Sequence, residues 1–174
     1  MKKVALIVAD GTEELEAITP VDVLRRAGAQ CDIVSVSGEY VTTSHNVIIK
    51  ADKTIKEVAL EKYDALIIPG GIPGAGNIAK TPAVIKAVIE LNEKGKLLAA
   101  ICAAPAVVLG AIRILDGKKV TCYPSEYFLG YLKNAEYTGA EVEVCDNIIT
   151  ADGPTSAFKF SLAICKYLGI EPKF

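Results

Sequence analysis

LLAAICAAPAVVLG, Leu97 to Gly110, is apolar throughout apart from one thiol. KLLAAIC (Lys96–Cys102) reads as a buried parallel strand, and APAVVLGAI (Ala104–Ile112) as the helix that follows it. Pro105 suits the start of that helix, where its missing N–H would have had no partner anyway. Cys102 therefore falls at a strand-to-helix turn. A helix that begins there points its free N–H groups and its positive end at the turn, so the thiol pKa is expected below its free value. Ala103 and Ala104 are small and leave room for a substrate. An inert buried cysteine is the alternative, and the local sequence leaves both readings open.

The same alternation extends along the chain in both directions. Strands are expected over Lys3–Ala9, Gln30–Ser37, Asn46–Asp52 (near an edge), Tyr63–Gly71 and Lys119–Tyr123. Glu141–Ala151 reads as two strands around a turn at Asp146-Asn147. Thr19 and Pro20 look like the cap and first residue of a helix ending at Gly28, although Glu13–Ile18 also suits a helix and Pro20 can kink a longer one. Thr81, Pro82 and Gly95 bound a second helix, with Val84, Val88 and Leu91 toward the sheet. Ser125–Ala135 is a short helix, and Thr155–Gly169 closes the chain with Phe158, Leu162 and Cys165 on one side. Strand and helix alternating with short links indicate an α/β fold: one three-layer domain over residues 1–174, with a mostly parallel central sheet and helices on both faces.

Composition narrows the function. The chain is 51% hydrophobic with a net charge of -2 and no basic block, which argues against disorder and against nucleic-acid binding. The longest apolar runs contain a proline and are too short to span a membrane, so no membrane role is expected. Five cysteines, an odd number with no CxxC, suggest free thiols in a reducing cytoplasm. Cys31, Cys122, Cys145 and Cys165 lie inside strand or helix patterns and read as core residues, with Cys122, near a strand end, the foremost exception. His45, the single histidine, reads as a surface residue on which no metal site can rest alone.

In open α/β sheets ligands bind beyond the carboxyl ends of the strands. DGTEELE (Asp10–Glu16), PGGIPGAG (Pro69–Gly76) and CAAP (Cys102–Pro105) fall there, and adjacent strands would bring them together. Glu13, Glu14 and Glu16 cannot share one helical face. Either they form a solvated first turn, or one is buried beside the thiol, keeps its proton by desolvation and serves as acid and base. PGGIPGAG lacks both the Walker lysine and the GxGxxG spacing, so no nucleotide cofactor is indicated. Its glycines permit a tight turn in which Gly71 can donate an N–H to an oxyanion. The turn at Pro154, with Thr155 and Ser156, is a further candidate pocket wall.

VALIVADGTEELEAITPVDVLRRAG, YDALIIPGG, AAICAAP and TADGPTSAFKFSLAI, in that order, resemble the ThiJ/PfpI family, within it the branch of the parkinsonism-associated protein and its bacterial relatives. The resemblance covers essentially the whole chain. It implies a flavodoxin-like sandwich and a homodimer built partly on the first helix; nothing in the residues requires a metal or organic cofactor. By the same resemblance Cys102 is the reactive cysteine of a nucleophile elbow, Glu16 its protonated hydrogen-bonding partner, and Gly71 and Ala103 the backbone donors. Tyr123, in TCYP with Pro124, stands where many relatives carry a histidine. Tyrosine is a poor base near neutral pH, which argues against the peptidase activity of another branch. His45, Asp152 and Ile72 also depart from the family pattern. The implied activity is glutathione-independent conversion of a small 2-oxoaldehyde such as methylglyoxal to lactate, or a related deglycase reaction. The alternative is an oxidative-stress sensor whose Cys102 is oxidised to sulfinate with little turnover.

Overall fold

In the computed structural model, which covers Met1–Phe174, the strands are β1 (Lys3–Val8), β2 (Gln30–Ser35), β3 (Tyr40–Thr42), β4 (Ile48–Lys50), β5 (Lys53–Thr54), β6 (Ala65–Ile68), β7 (Leu97–Ile101), β8 (Lys119–Val120), β9 (Glu136–Tyr137), β10 (Val142–Cys145) and β11 (Ile148–Ala151). The helices are α1 (Glu14–Arg26), α2 (Gly74–Ala79), α3 (Pro82–Glu93), α4 (Glu126–Leu129) and α5 (Ala157–Leu168). Seven strands form the main sheet in the order β10-β11-β7-β6-β1-β2-β5. All its pairings are parallel except that of β10 with β11, which turn at Asp146-Asn147 as the sequence indicates.

Alternation along β1 explains the layers. Val4, Leu6 and Val8 join a core of 25 buried residues with α1 and α5, while Ala5 and Ile7 join an equally large core with α2 and α3. A strand buried on both faces needs no polar side, which is why β1 reads as a continuous apolar run. Val84, Val88 and Leu91 of α3 are fully buried, as their spacing predicts. The fold is flavodoxin-like, with the order of strands reversing at β1 and β6.

Several elements differ from the sequence expectation. Of the two starts the sequence leaves open for α1, the structure takes the earlier, at Glu14 and not Thr19, because Glu13 Oε2 accepts the Glu16 N–H at 2.8 Å and caps the first turn. Pro20 lies inside this helix, where burial of Ala17, Pro20, Val21 and Leu24 offsets the lost backbone bond. Asn46–Asp52 contributes β4 to a separate hairpin with β3, and β5 forms the edge of the main sheet instead. Only Ile49 of β4 is buried, so a single apolar side chain anchors that strand. β8 is two residues long and pairs with β9 outside the main sheet. In α5 the core side is Phe160, Ile164, Cys165 and Leu168, whereas Phe158 and Leu162 face solvent. Pro105–Gly110 forms wide π-helical turns, with Ala111 N–H bonded to Ala106 C=O.

Candidate active site

Because β1, β6 and β7 are neighbours, their carboxyl ends bring the entry to α1, the Gly70-Gly71 turn and Cys102 together. Cys102 has a φ of 64°, a left-handed conformation that costs a residue with a Cβ about 1–3 kcal/mol. The backbone is pinned on both sides. Cys102 N–H donates to Ala151 C=O at 2.9 Å, and Tyr123 N–H donates to Cys102 C=O at 2.8 Å. A strand stopped by a strained cysteine before a helix is a nucleophile elbow in form.

Glu16 is fully buried on the first turn of α1. Its Oε2 accepts the Gly70 N–H at 2.7 Å, joining residues 54 apart in sequence. Glycine is required at 70, since a Cβ there would stand 2.6 Å from both Cys102 Cβ and Glu16 Oε2. Gly71 has a φ of +89°, and a Cβ on it would lie 2.5 Å from Glu13 N and Gly11 O. Oε1 of Glu16 is buried with no partner in ordinary hydrogen-bond geometry, although the Cys102 thiol is close enough to act on the carboxyl.

Burial raises the Glu16 pKa to about 7, against the lowering influence of the Cys102 thiol and the Gly70 N–H. The Cys102 pKa is also raised, first by burial and then by the charge of Glu16, while the N–H groups of Ala103 and Gly71 pull it down. This corrects the expectation of a lowered thiol pKa, which considered the helix start and left out desolvation and the neighbouring carboxylate. Two negative charges cannot share this site, so the thiolate is favoured only when Glu16 holds the proton. Burial likewise pushes Cys31 to about 12 and Cys122 to about 11. Cys122, the foremost exception to the core reading, is wholly buried; of these four cysteines Cys145, at the end of β10, is the half-buried one.

Tyr123, Pro124 and Thr155 are exposed at the rim, and Pro154 is half-buried. The Tyr123 ring lies against Gly153, 3.6 Å from where a Cβ would stand, so the Tyr123 segment and the Pro154 turn form one wall beside Cys102. Ser156 donates to Asp152 rather than capping α5. His45 is a surface residue whose Nδ1 lies 3.1 Å from Glu14 Oε2, and Glu13 brings a third donor atom within 4.8 Å. The roles of Glu13 as cap and Gly70 as carboxyl donor escape the sequence. Only the spacing of Glu13 three residues before Glu16, a capping spacing, hints at the first.

A flavodoxin-like sheet with a cysteine elbow facing a buried glutamate at its switch point defines the class. Residues 2–167 match the model of the DJ-1/PfpI family, and the chain belongs to that family. It is 36% identical over 169 residues to Protein DJ-1 homolog B of Arabidopsis thaliana, covering 96% of this chain and 38% of that one. The chain thus spans under half the length of that relative. It is 32% identical to Glutathione-independent glyoxalase DJ-1 of Schizosaccharomyces pombe, with 100% of this chain and 95% of that one covered. Among solved structures, oxidized Toxoplasma gondii DJ-1 superposes with a TM-score of 0.92 at 40% identity, covering 97% of this chain and 91% of that one.

Proposed function

We propose that the protein is a cysteine-dependent enzyme that converts small 2-oxoaldehydes, methylglyoxal above all, to 2-hydroxy acids without glutathione. The observation that carries this reading is the free, buried oxygen of Glu16 beside an elbow-held thiol. The Cys102 sulfur adds to the aldehyde carbon as its proton passes by way of Glu16 to the aldehyde oxygen, forming a hemithioacetal and leaving Glu16 a carboxylate. The N–H groups of Gly71 and Ala103 face the developing oxyanion. Glu16 then moves a proton from the former aldehyde carbon to the ketone carbon. The first carbon is oxidised and the second reduced, so no outside electron carrier takes part. Water cleaves the resulting thioester, the sulfur recovers its proton, and lactate leaves. A glutamate with a pKa near 7 is suited to both directions of proton transfer. The glyoxalase name of the fission-yeast relative supports the same chemistry. Lactate formed from methylglyoxal is the test. Cys102→Ala is expected to abolish it and Glu16→Gln to slow it by about 10²–10⁴-fold; equal rates in all three proteins overturn the reading.

The free Glu16 oxygen also favours a second reading, oxidation of Cys102 by peroxide. The thiolate displaces hydroxide from one peroxide to give sulfenate, and a second peroxide gives sulfinate, each step releasing water. Protonated Glu16 would donate to a sulfinate oxygen. Mass spectrometry after mild peroxide is expected to find two added oxygens on Cys102 before any on half-buried Cys145, and uniform oxidation overturns this reading.

We infer further that a second copy of the chain covers the groove of about 400 Å³ at the outer side of α1, where Leu15, Ile18, Val47 and Phe158 expose apolar surface.

A further inference from the structure

A cleft of about 570 Å³ opens on the face of the sheet opposite α1 and α5, between α2, the Pro105–Gly110 turns and α4. That size suits a small organic ligand. Three of its lining residues connect to the thiol site along the chain or through a ring contact. Ile72 follows Gly71, and Val107 lies on the helical turns that begin after Cys102, its N–H bonded to Ala103 C=O. Phe128 packs edge-on against Tyr123, with centroids 6.2 Å apart, and Tyr123 N–H holds the Cys102 carbonyl. Ile72 is one residue from Gly71, Val107 five from Cys102 and Phe128 five from Tyr123.

Its outer wall is aromatic. Tyr127 meets Phe128 at 5.4 Å and Tyr131 at 5.7 Å between centroids, both edge to face. Ile72 and Tyr127 remain 59% and 68% exposed, a large apolar surface left uncovered beside a polar site. Methylglyoxal, with a single methyl group, would leave nearly all of it empty. A flat ring extends an edge-to-face array in a way an aliphatic chain cannot, because ring edges and faces carry opposite partial charge.

We propose that this cleft is the side-group subsite of the Cys102 centre and that it takes an aromatic ring carried on the ketone carbon of a 2-oxoaldehyde. The inference rests on the reading of Cys102 as the group that adds to the aldehyde. It is tested by binding as well as by turnover. Mandelate and lactate, the phenyl and methyl 2-hydroxy acids, are titrated into the protein and followed by NMR shifts. Initial rates are measured with phenylglyoxal and methylglyoxal. Mandelate is expected to bind about tenfold more tightly than lactate, and phenylglyoxal to show a correspondingly higher kcat/KM. Phe128→Ala and the solvent-facing Tyr127→Ala should each bring both ratios toward one. Equal binding of the two acids by the unaltered protein overturns the proposal, as does a preference that survives in both variants. A protein that prefers mandelate through Tyr127 yet makes no lactate keeps the ring site and loses the catalytic reading; one that makes lactate with no such preference does the reverse.

Discussion

Glu16 holds its proton at a pH where an exposed glutamate has lost it. Its folded pKa of about 7 stands above the ordinary 4.5 because burial penalises the carboxylate more than Gly70 and Cys102 favour it. Between those two values the folded chain binds a proton that the unfolded chain releases. Stability from this group is therefore full below pH 4.5, falls as pH rises toward 7, and levels off above it. The loss is about 3 kcal/mol, an order-of-magnitude figure for so buried a group. Glu16→Gln has no charge to bury, so its stability relative to the unaltered protein is expected to rise by that order between pH 4.5 and pH 8, read from urea midpoints. Parallel midpoints across that range would show that Glu16 ionises freely. The same residue marks what the sequence could reveal about the site. Cys102 was legible because an apolar strand run stops at it. Which of three neighbouring carboxylates is buried was not legible in the residues themselves and came only from the family resemblance, since it depends on how α1 leans over the Gly70 turn.

At the scale of elements, legibility followed the number of apolar residues each one commits to the core. β1, β6, β7 and α3 are read correctly because their buried positions outnumber any competing pattern. The β3–β4 hairpin buries one side chain per strand, too little to separate a hairpin from an edge strand. α5 carries two apolar stripes. Phe160, Ile164 and Leu168 take the core while Phe158 and Leu162 face out, a choice made by the direction in which the Pro154 turn launches the helix. The start of α1 is left open between two positions for a local reason. Thr19-Pro20 has the form of a helix start, but the Glu13 carboxylate caps the helix earlier, and the proline is then carried through by its own burial.

For the whole molecule, Phe158 of the exposed α5 stripe stands beside α1. Phe158 joins Leu15, Ile18 and Val47 around one groove, and covering it would bury the start of the helix that bears Glu16. The unaltered protein is expected to sediment as a pair at micromolar concentration, and Ile18→Glu or Leu15→Glu as single chains with unchanged circular dichroism. A single chain in the unaltered protein removes the second copy from the account. The cleft lined by Tyr127 lies on the opposite face of the sheet. Association by that groove also differs from association through the sheet. The main sheet stops at β5, two residues long, with Lys53 held by Asp32 at 2.9 Å. A margin so short gives a stray strand almost nothing to register on, so from that side the protein resists growing into filaments when crowded or partly unfolded.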